Sequence, residues 1–341
     1  MSAGLSVQVL SAERALGAFT PEWDQLAEAT ASATVFQTSG WYLAWIHAVA
    51  AVEGAEPVIA LIRCSGRLRA AVALQISLVA GSPTVLPLSS PWADYHDALA
   101  VSGDTEALAA LGGAIADLAV ERGCSILLDD LVSGGILEAA LRVFTPVRSL
   151  SSPVAAIDLT DEAHLAQVMK SREHAIKWRR LNRAGDVACR HHSTAEAIEE
   201  KLPALIQMHR RQWADRAEIV APFDGGTADR AFEAMVRHMA PLGHIVLTEL
   251  LLDERPIAAY FGFLYKRVYG GYRTAFDADF RRLSPGHLML RRMLTDFAAA
   301  GIRKLDLMRG DYEYKAGCAN RAEHNTRLEL RRSSLPPTLT N

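Results

Sequence analysis

Residues 268–308 fix the order of their elements more tightly than any other stretch of the chain. Residues 268–275 carry Tyr269, Tyr272 and Thr274, good strand formers. A loop of acids and arginines over 276–283 then leads to Ser284-Pro285-Gly286-His287. From there Leu290, Met293, Leu294 and Phe297 recur on one helical face, predicting a helix that runs to Gly301, a residue suited to end it. Residues 302–308 alternate as the next strand. The unit is strand, loop, helix, strand, with a Pro-Gly pair where the helix begins.

The first turn of a helix leaves backbone N–H groups unpaired and carries the positive end of the dipole, so it can hold phosphate oxygens. Gly286 lets a ligand approach the backbone, and Arg281 and Arg282 add charge beside it. The same residues also read as a plain N-cap, with Ser284 capping, Pro285 at the first helical position and nothing bound. The surrounding order of elements is what separates the two readings.

At 341 residues the chain is long enough for two domains. Its net charge of −3 gives no general attraction to nucleic acid or to an anionic membrane. The four cysteines (Cys64, Cys124, Cys189, Cys318) are scattered, without metal-ligand spacing or a disulfide framework, which fits a reducing cytoplasm. No metal cluster stands out, and the adjacent pair His191-His192 reads as solvent-facing. The N-terminus lacks a basic stretch before an apolar run, and no apolar run approaches the ~20 residues that span a bilayer. The expected location is the cytoplasm, with the inner face of the membrane as the one peripheral alternative. No Gly-x-Ser-x-Gly elbow or Walker loop is present, which argues against serine hydrolysis and phosphoryl transfer.

The chain states one pattern twice. A strand over 5–10 and helices over 21–29 and 39–51 precede a hairpin of strands 57–63 and 68–78, turning at Ser65-Gly66. A strand at 84–88, the loop Ser89–Asp97, a helix over 105–122 and a strand at 125–128 follow. The second half has helices over 195–216 and 227–239, then a hairpin of 245–252 and 257–265. The unit of 268–308 comes next, and a last strand lies near 328–332. The expected fold class is α/β of the α+β type: two similar halves, each a mixed twisted sheet flanked by helices. The boundaries read as 1–160, a connecting segment at 161–190, and 191–335. Within that connector Lys170, Arg172, Lys177, Arg179, Arg180 and Arg183 make a basic helix. It reads equally as a solvated linker and as a clamp for a phosphate-bearing or acidic substrate. With one aromatic, Trp178, it offers no platform for nucleic acid, and no nucleic-acid partner is expected.

A hairpin, a third strand, a helix with a phosphate-ready start and a following strand resemble the acyl-CoA-binding core of the GNAT acyltransferases. Two copies in one chain resemble the tandem arrangement of the Fem-type peptidyl transferases. Closer still is the resemblance to the acetyltransferases associated with cellulose and exopolysaccharide biosynthesis. It is carried by Phe36-Gln37 with Trp41 and Trp45, Ala93-Asp94-Tyr95, His209 with Trp213, and residues 250–258. Ser284-Pro285-Gly286, Asp306, Arg309-Gly310 and Tyr314-Lys315 complete it. The phosphate loop departs from the family form Arg/Gln-x-x-Gly-x-Gly/Ala, since Arg282-Leu283-Ser284-Pro285-Gly286-His287 keeps one arginine and one glycine.

The resemblance implies an N-acyltransferase that moves an acyl group from acyl-CoA, as co-substrate, to a primary amine, with no metal. Its amine is an amino sugar of envelope polysaccharide. The alternatives are a lipid amine such as a sphingoid base, a Fem-type transfer from aminoacyl-tRNA, and a non-catalytic scaffold of a polysaccharide-synthesis complex. The acceptor is thus a small molecule, a glycolipid or a lipid. The donor site falls on Tyr272, Arg273 and Thr274, whose backbone can face the thioester oxyanion, and on Arg282, Ser284, Pro285, Gly286, His287, Leu288 and Lys315. Catalytic candidates are Asp94, Tyr95 and His209 on the amine side, and Tyr314 as acid to the thiolate.

Overall fold

Each hairpin read from the sequence forms, and each is extended by the strand, helix and strand that follow it. The computed structural model describes residues 4–214, 223 and 225–335. In chain order the strands are β1 (Leu5–Ser11), β2 (Glu56–Cys64), β3 (Arg67–Val79), β4 (Ser82–Pro87), β5 (Leu99–Ala100), β6 (Ser125–Leu131) and β7 (Val147–Asp158). They continue as β8 (Val187–His192), β9 (Ile245–Leu252), β10 (Arg255–Tyr265), β11 (Val268–Phe276), β12 (Lys304–Arg309) and β13 (Arg321–Leu330). The helices are α1 (Ala12–Ala29), α2 (Ser39–Trp45), α3 (Thr105–Glu121), α4 (Ile136–Leu141) and α5 (Glu162–Met169). After them come α6 (Arg172–Ala184), α7 (Ala195–Trp213), α8 (Thr227–Met239), α9 (Pro285–Ala299) and α10 (Glu313–Ala316). The helix expected over 195–216 ends within the described residues at Trp213, and positions 215–216 lie outside them.

The chain forms two compact units. Unit 1 takes residues up to 153 and those from 324 onward; unit 2 takes 154–323. In unit 1 the strands run β1-β2-β3-β4-β6, antiparallel except for the parallel pair β4–β6. Residues 326–330 of β13 close that sheet by pairing antiparallel with β6. Ile62, Val72 and Leu74 of the hairpin pack against Leu111, Ile115 and Leu118 of α3 in its core.

Unit 2 repeats this plan as β8-β9-β10-β11-β12, antiparallel except for the parallel pair β11–β12. Residues 154–158 of β7 pair antiparallel with β12 and close it. Met289, Met293, Leu294 and Phe297, the apolar stripe of α9, pack on Ile257, Tyr269 and Leu305 of the sheet. In each unit the strands mix parallel and antiparallel pairs and are flanked by helices, which is the expected fold class.

Two boundaries differ from the sequence reading. The strand that pairs with β6 in unit 1 spans residues 326–330, and the one that pairs with β12 in unit 2 spans residues 154–158. The basic helix is also no free connector. Leu181 of α6 is buried in the core of unit 2, and Trp178 packs against the same core.

Candidate active site

The opening in unit 2 lies where its two parallel strands part. β11 and β12 pair only through Val268–Lys304, Tyr269–Leu305 and Gly270–Asp306. Beyond that point both strands change course. On β11 the register against β10 steps from Gly271 to Arg273, so Tyr272 is the extra residue of a bulge. On β12 the register against β7 shifts between Asp306 and Arg309, where Met308 stands at φ 61°. Asp306 Oδ1 holds that kink by accepting the Met308 N–H at 2.8 Å. In open α/β sheets, ligands bind outside the carboxyl ends of strands that separate in this way.

Two phenols line the opening. The Tyr260 hydroxyl lies against Gly271, where a Cβ has no room, so only glycine admits this ring so close to the strand. Tyr260 and Tyr314 are hydrogen-bonded to each other, and burial pushes both up, Tyr314 to about 12. The Tyr314 ring lies 6.0 Å from that of His287 in the first turn of α9. Lys315, expected at the donor phosphates, is buried and donates to the carbonyls of Met308 (2.9 Å) and Arg309 (2.7 Å). It therefore pins α10 to the β12 kink, a job that follows from its burial and was not visible in the sequence.

Positive charge gathers at the start of α9. Ser284 takes a left-handed conformation (φ 52°) and its hydroxyl accepts a hydrogen bond from Lys177 of α6 at 2.9 Å. The His174 and His287 rings stack at 6.2 Å. Desolvation and then Arg291 and His287 hold His174 down to about 4; desolvation, Lys177 and Arg291 lower His287 as well. Burial first and the neighbouring cations second keep these imidazoles neutral, and the cations suit an anionic ligand at this turn. Backbone donors contribute less than the motif suggests. Pro285 has no N–H, and those of His287 and Leu288 return to the Ser284 carbonyl. That leaves Gly286 N–H as the first-turn donor without an intrahelical acceptor, with open space where its Cβ would be. Arg282 is exposed beside this turn.

α7 covers the far end of β11. Gln212 Oε1 accepts the Phe276 N–H at 3.0 Å, and His209 lies buried between the Trp213 (6.0 Å) and Phe223 (5.1 Å) rings. Its Nδ1 and the Nε of Arg273 have no hydrogen-bond partner among the described residues. The Arg273 guanidinium also stands 5.4 Å over the Tyr272 ring, while the Thr274 hydroxyl donates to the Ala259 carbonyl at 3.3 Å. Burial, with Arg273 adding to it, lowers His209 from 6.5 to about 4. Its folded value lies below its unfolded one, so its contribution to stability is complete above pH 6.5 and is lost as pH falls toward 4. By pH 5 the loss is about 2 kcal/mol. The melting temperature is expected to fall between pH 7 and pH 5, and His209→Gln to flatten that slope, read by thermal unfolding across the range.

Unit 1 has the matching divergence but fills it with its own chain. β4 and β6 pair only through Thr84–Ser125 and Val85–Ile126. Beyond them His96 inserts as a parallel bridge to Leu131, its N–H donating to Asp130 O (2.8 Å) and its carbonyl accepting from Val132 (2.9 Å). Asn325 Nδ2 donates to the Asp94 carbonyl at 2.9 Å, and Gln37 Nε2 to the Tyr95 carbonyl at 3.0 Å. The Asp97 carboxylate caps α4 through the N–H groups of Ile136 and Leu137. Asp94 and Tyr95 thus belong to the segment that fills unit 1, whereas the other candidate site residues all belong to unit 2. Among the described residues no strand or bridge enters the opening of unit 2 in this way.

Tyr260 and Arg291 escaped the sequence reading, whereas Lys177 belongs to the basic helix read there as a linker or a phosphate clamp. The Gly270-Gly271 pair inside a strand was the available signal for Tyr260, since adjacent glycines there mark a close approach. A groove of about 460 Å³ between α7 and α8, lined by Glu199, Asp229, Glu233, Arg210 and Arg237 among others, contains no residue of β11 or α9 and is a separate feature.

The fold is shared with solved structures at low identity. FemX is similar over 97% of this chain and 98% of its own, with a TM-score of 0.64 at 11% identity. The tandem GNAT protein of the clavulanic acid biosynthesis pathway is similar over 98% and 100%, with a TM-score of 0.51 at 13% identity. The L-PGS of Bacillus licheniformis is similar over 80% and 82%, at 0.52 and 11%. No curated protein matches the chain. Residues 170–316, which run from α6 through the diverging strands to α10, match the model of the acetyltransferase (GNAT) domain family.

Proposed function

We propose that the protein is an acyl-CoA-dependent N-acyltransferase with a single donor site, in unit 2. The observation that carries this reading is the cationic start of α9, with Lys177 bonded to its N-cap Ser284, at the open end of β11 and β12. Lys177, Arg282, the Ser284 hydroxyl and the Gly286 N–H receive the pyrophosphate. The pantetheine lies along β11, whose edge from Gly271 onward is left without β12 as a partner.

The amine nitrogen attacks the thioester carbonyl carbon, and the oxyanion is met by backbone N–H at the Tyr272–Thr274 bulge. The carbon–sulfur bond then breaks, and the sulfur takes its electron pair and a proton from Tyr314, which Tyr260 orients and which solvent reprotonates. The amine proton leaves to solvent past His209. That imidazole is neutral at pH 7 and so weak a base that it orders the acceptor and does not store the proton. The acceptor in this reading is a primary amine on a sugar of envelope polysaccharide, as the sequence resemblance implies. A lipid amine is the second arm of the test.

Thermal unfolding is followed while acetyl-CoA or free CoA is titrated, and acetyl transfer to an amino sugar and to a sphingoid base is measured by mass spectrometry. Saturable stabilisation at one CoA per chain, with transfer to one of the amines, is expected. Stabilisation by aminoacyl-tRNA but not by CoA overturns the donor; binding of neither leaves a scaffold.

A further inference from the structure

Cys189, His191 and Asp296 offer a sulfur, a nitrogen and an oxygen that all lie within 4.8 Å of one another, on β8 and α9. We propose that they form a zinc site, separate from the acyl-transfer site, that fastens the edge strand of unit 2 to its helix. Cys189 and His191 are two apart on a strand and so present the same face. Asp296 reaches them from the C-terminal half of α9, one residue before Phe297, whose ring lies 4.9 Å from that of His191.

The chemistry of the set fits zinc. A thiolate, an imidazole and a carboxylate are the donor types that Zn²⁺ accepts together, whereas calcium and magnesium avoid sulfur. With zinc–ligand bonds of about 2.0–2.3 Å, tetrahedral ligand atoms lie roughly 3.3–3.8 Å apart. His191 Nε2 and Asp296 Oδ2 are already at 3.2 Å. Small movements of the exposed His191 and the half-buried Asp296 bring them to the Cys189 sulfur. The remaining contacts belong to a metal site as well. His191 Nδ1 lies 2.8 Å from the Thr248 hydroxyl, which fixes the ring and leaves Nε2 for the ion, the usual arrangement behind a metal-bound imidazole. Arg292 Nε donates to Asp296 Oδ2 at 2.9 Å and steadies the carboxylate.

Binding displaces one proton, from the Cys189 thiol, and the two negative ligands then neutralise the ion. Three protein ligands leave the fourth position to water. The site lies three strands from β11, about 14 Å across the sheet, so it acts on the stability of unit 2 and takes no part in acyl transfer.

The test uses the full chain, stripped with a chelator and titrated with Co²⁺ as a spectroscopic stand-in for zinc. One cobalt per chain with a thiolate-to-metal charge-transfer band is expected. Cys189→Ser should abolish the band although Cys64, Cys124 and Cys318 remain. Thr248→Val should weaken affinity about 10–100-fold, as loss of an outer-shell partner does. Zinc should raise the melting temperature of the parent but not of Cys189→Ser, while CoA stabilises both equally. No band in the parent, or a band that persists in Cys189→Ser, overturns the proposal.

Discussion

Gly286→Asp combined with Lys177→Glu is expected to weaken acyl-CoA binding by 100-fold or more while the chain stays folded. The first substitution sets a carboxylate in the first turn of α9, at a position where a Cβ meets nothing, so the fold has no steric reason to fail. The cost is electrostatic. A charge about 4 Å from a phosphate contributes up to about 4 kcal/mol at the effective dielectric near a protein surface, and solvent screening reduces that to about half. The second substitution removes the ammonium that now sits on the Ser284 hydroxyl and places a negative charge there. It also brings two acids together on α6, since Glu173 is the present partner of Lys177 at 2.6 Å. Each 1.4 kcal/mol is tenfold in affinity. Calorimetric titration with CoA measures it, and circular dichroism confirms the fold. Parent-like affinity in the double variant would place the pyrophosphate elsewhere. Raising salt should weaken the parent more than the variant, because only the parent attracts the ligand through charge.

Tyr314→Phe is expected to lower turnover about 100-fold with little change in CoA affinity, the range for loss of a positioned proton donor. Its hydroxyl meets that of Tyr260, its ring stands beside His287, and burial keeps it protonated far above neutral pH. Phenylalanine preserves the packing and removes the proton, so a fall in kcat at constant KM is the signature. Tyr260→Phe should give a smaller loss, since it leaves the donor present and takes away the bond that aims it. Asp94→Asn serves as the counterpart in unit 1. The segment of Asp94 is held by backbone bonds to Asn325 and, through His96, to Asp130 and Val132. Turnover near that of the parent is expected there; a loss of about 10²–10⁴-fold would make Asp94 a general base after all.

The periodic elements were legible because their cause is local. Helix α8 begins and ends where its apolar spacing predicted, and the apolar residues read on α9 are the ones it buries. The hairpins followed from turn residues between apolar runs, and the repeat of their order announced two sheets. β8 escaped because its sequence, VACRHH, alternates weakly and is half-exposed at a sheet edge. Its histidine pair, which read as solvent-facing, meets Thr248, Asp296 and Glu249, and the separation in sequence hides all three.

Two hairpins, each extended by a further strand, helix and strand, were legible in the residues, as was a helix starting in Ser-Pro-Gly. Local spacing and turn chemistry suffice for that. The tertiary pairing alone placed β13 against β6 and β7 against β12, partners far apart in the chain. It also decided which opening is free. Both units part at their parallel pair, but in unit 1 the backbone of His96 bonds to Asp130 and Val132, whereas in unit 2 Tyr260 and Tyr314 lie beside the gap and Lys177 at the start of α9. A hydrogen bond between residues far apart in the chain leaves no trace in periodicity, and the difference between a filled gap and a binding site is made of such bonds.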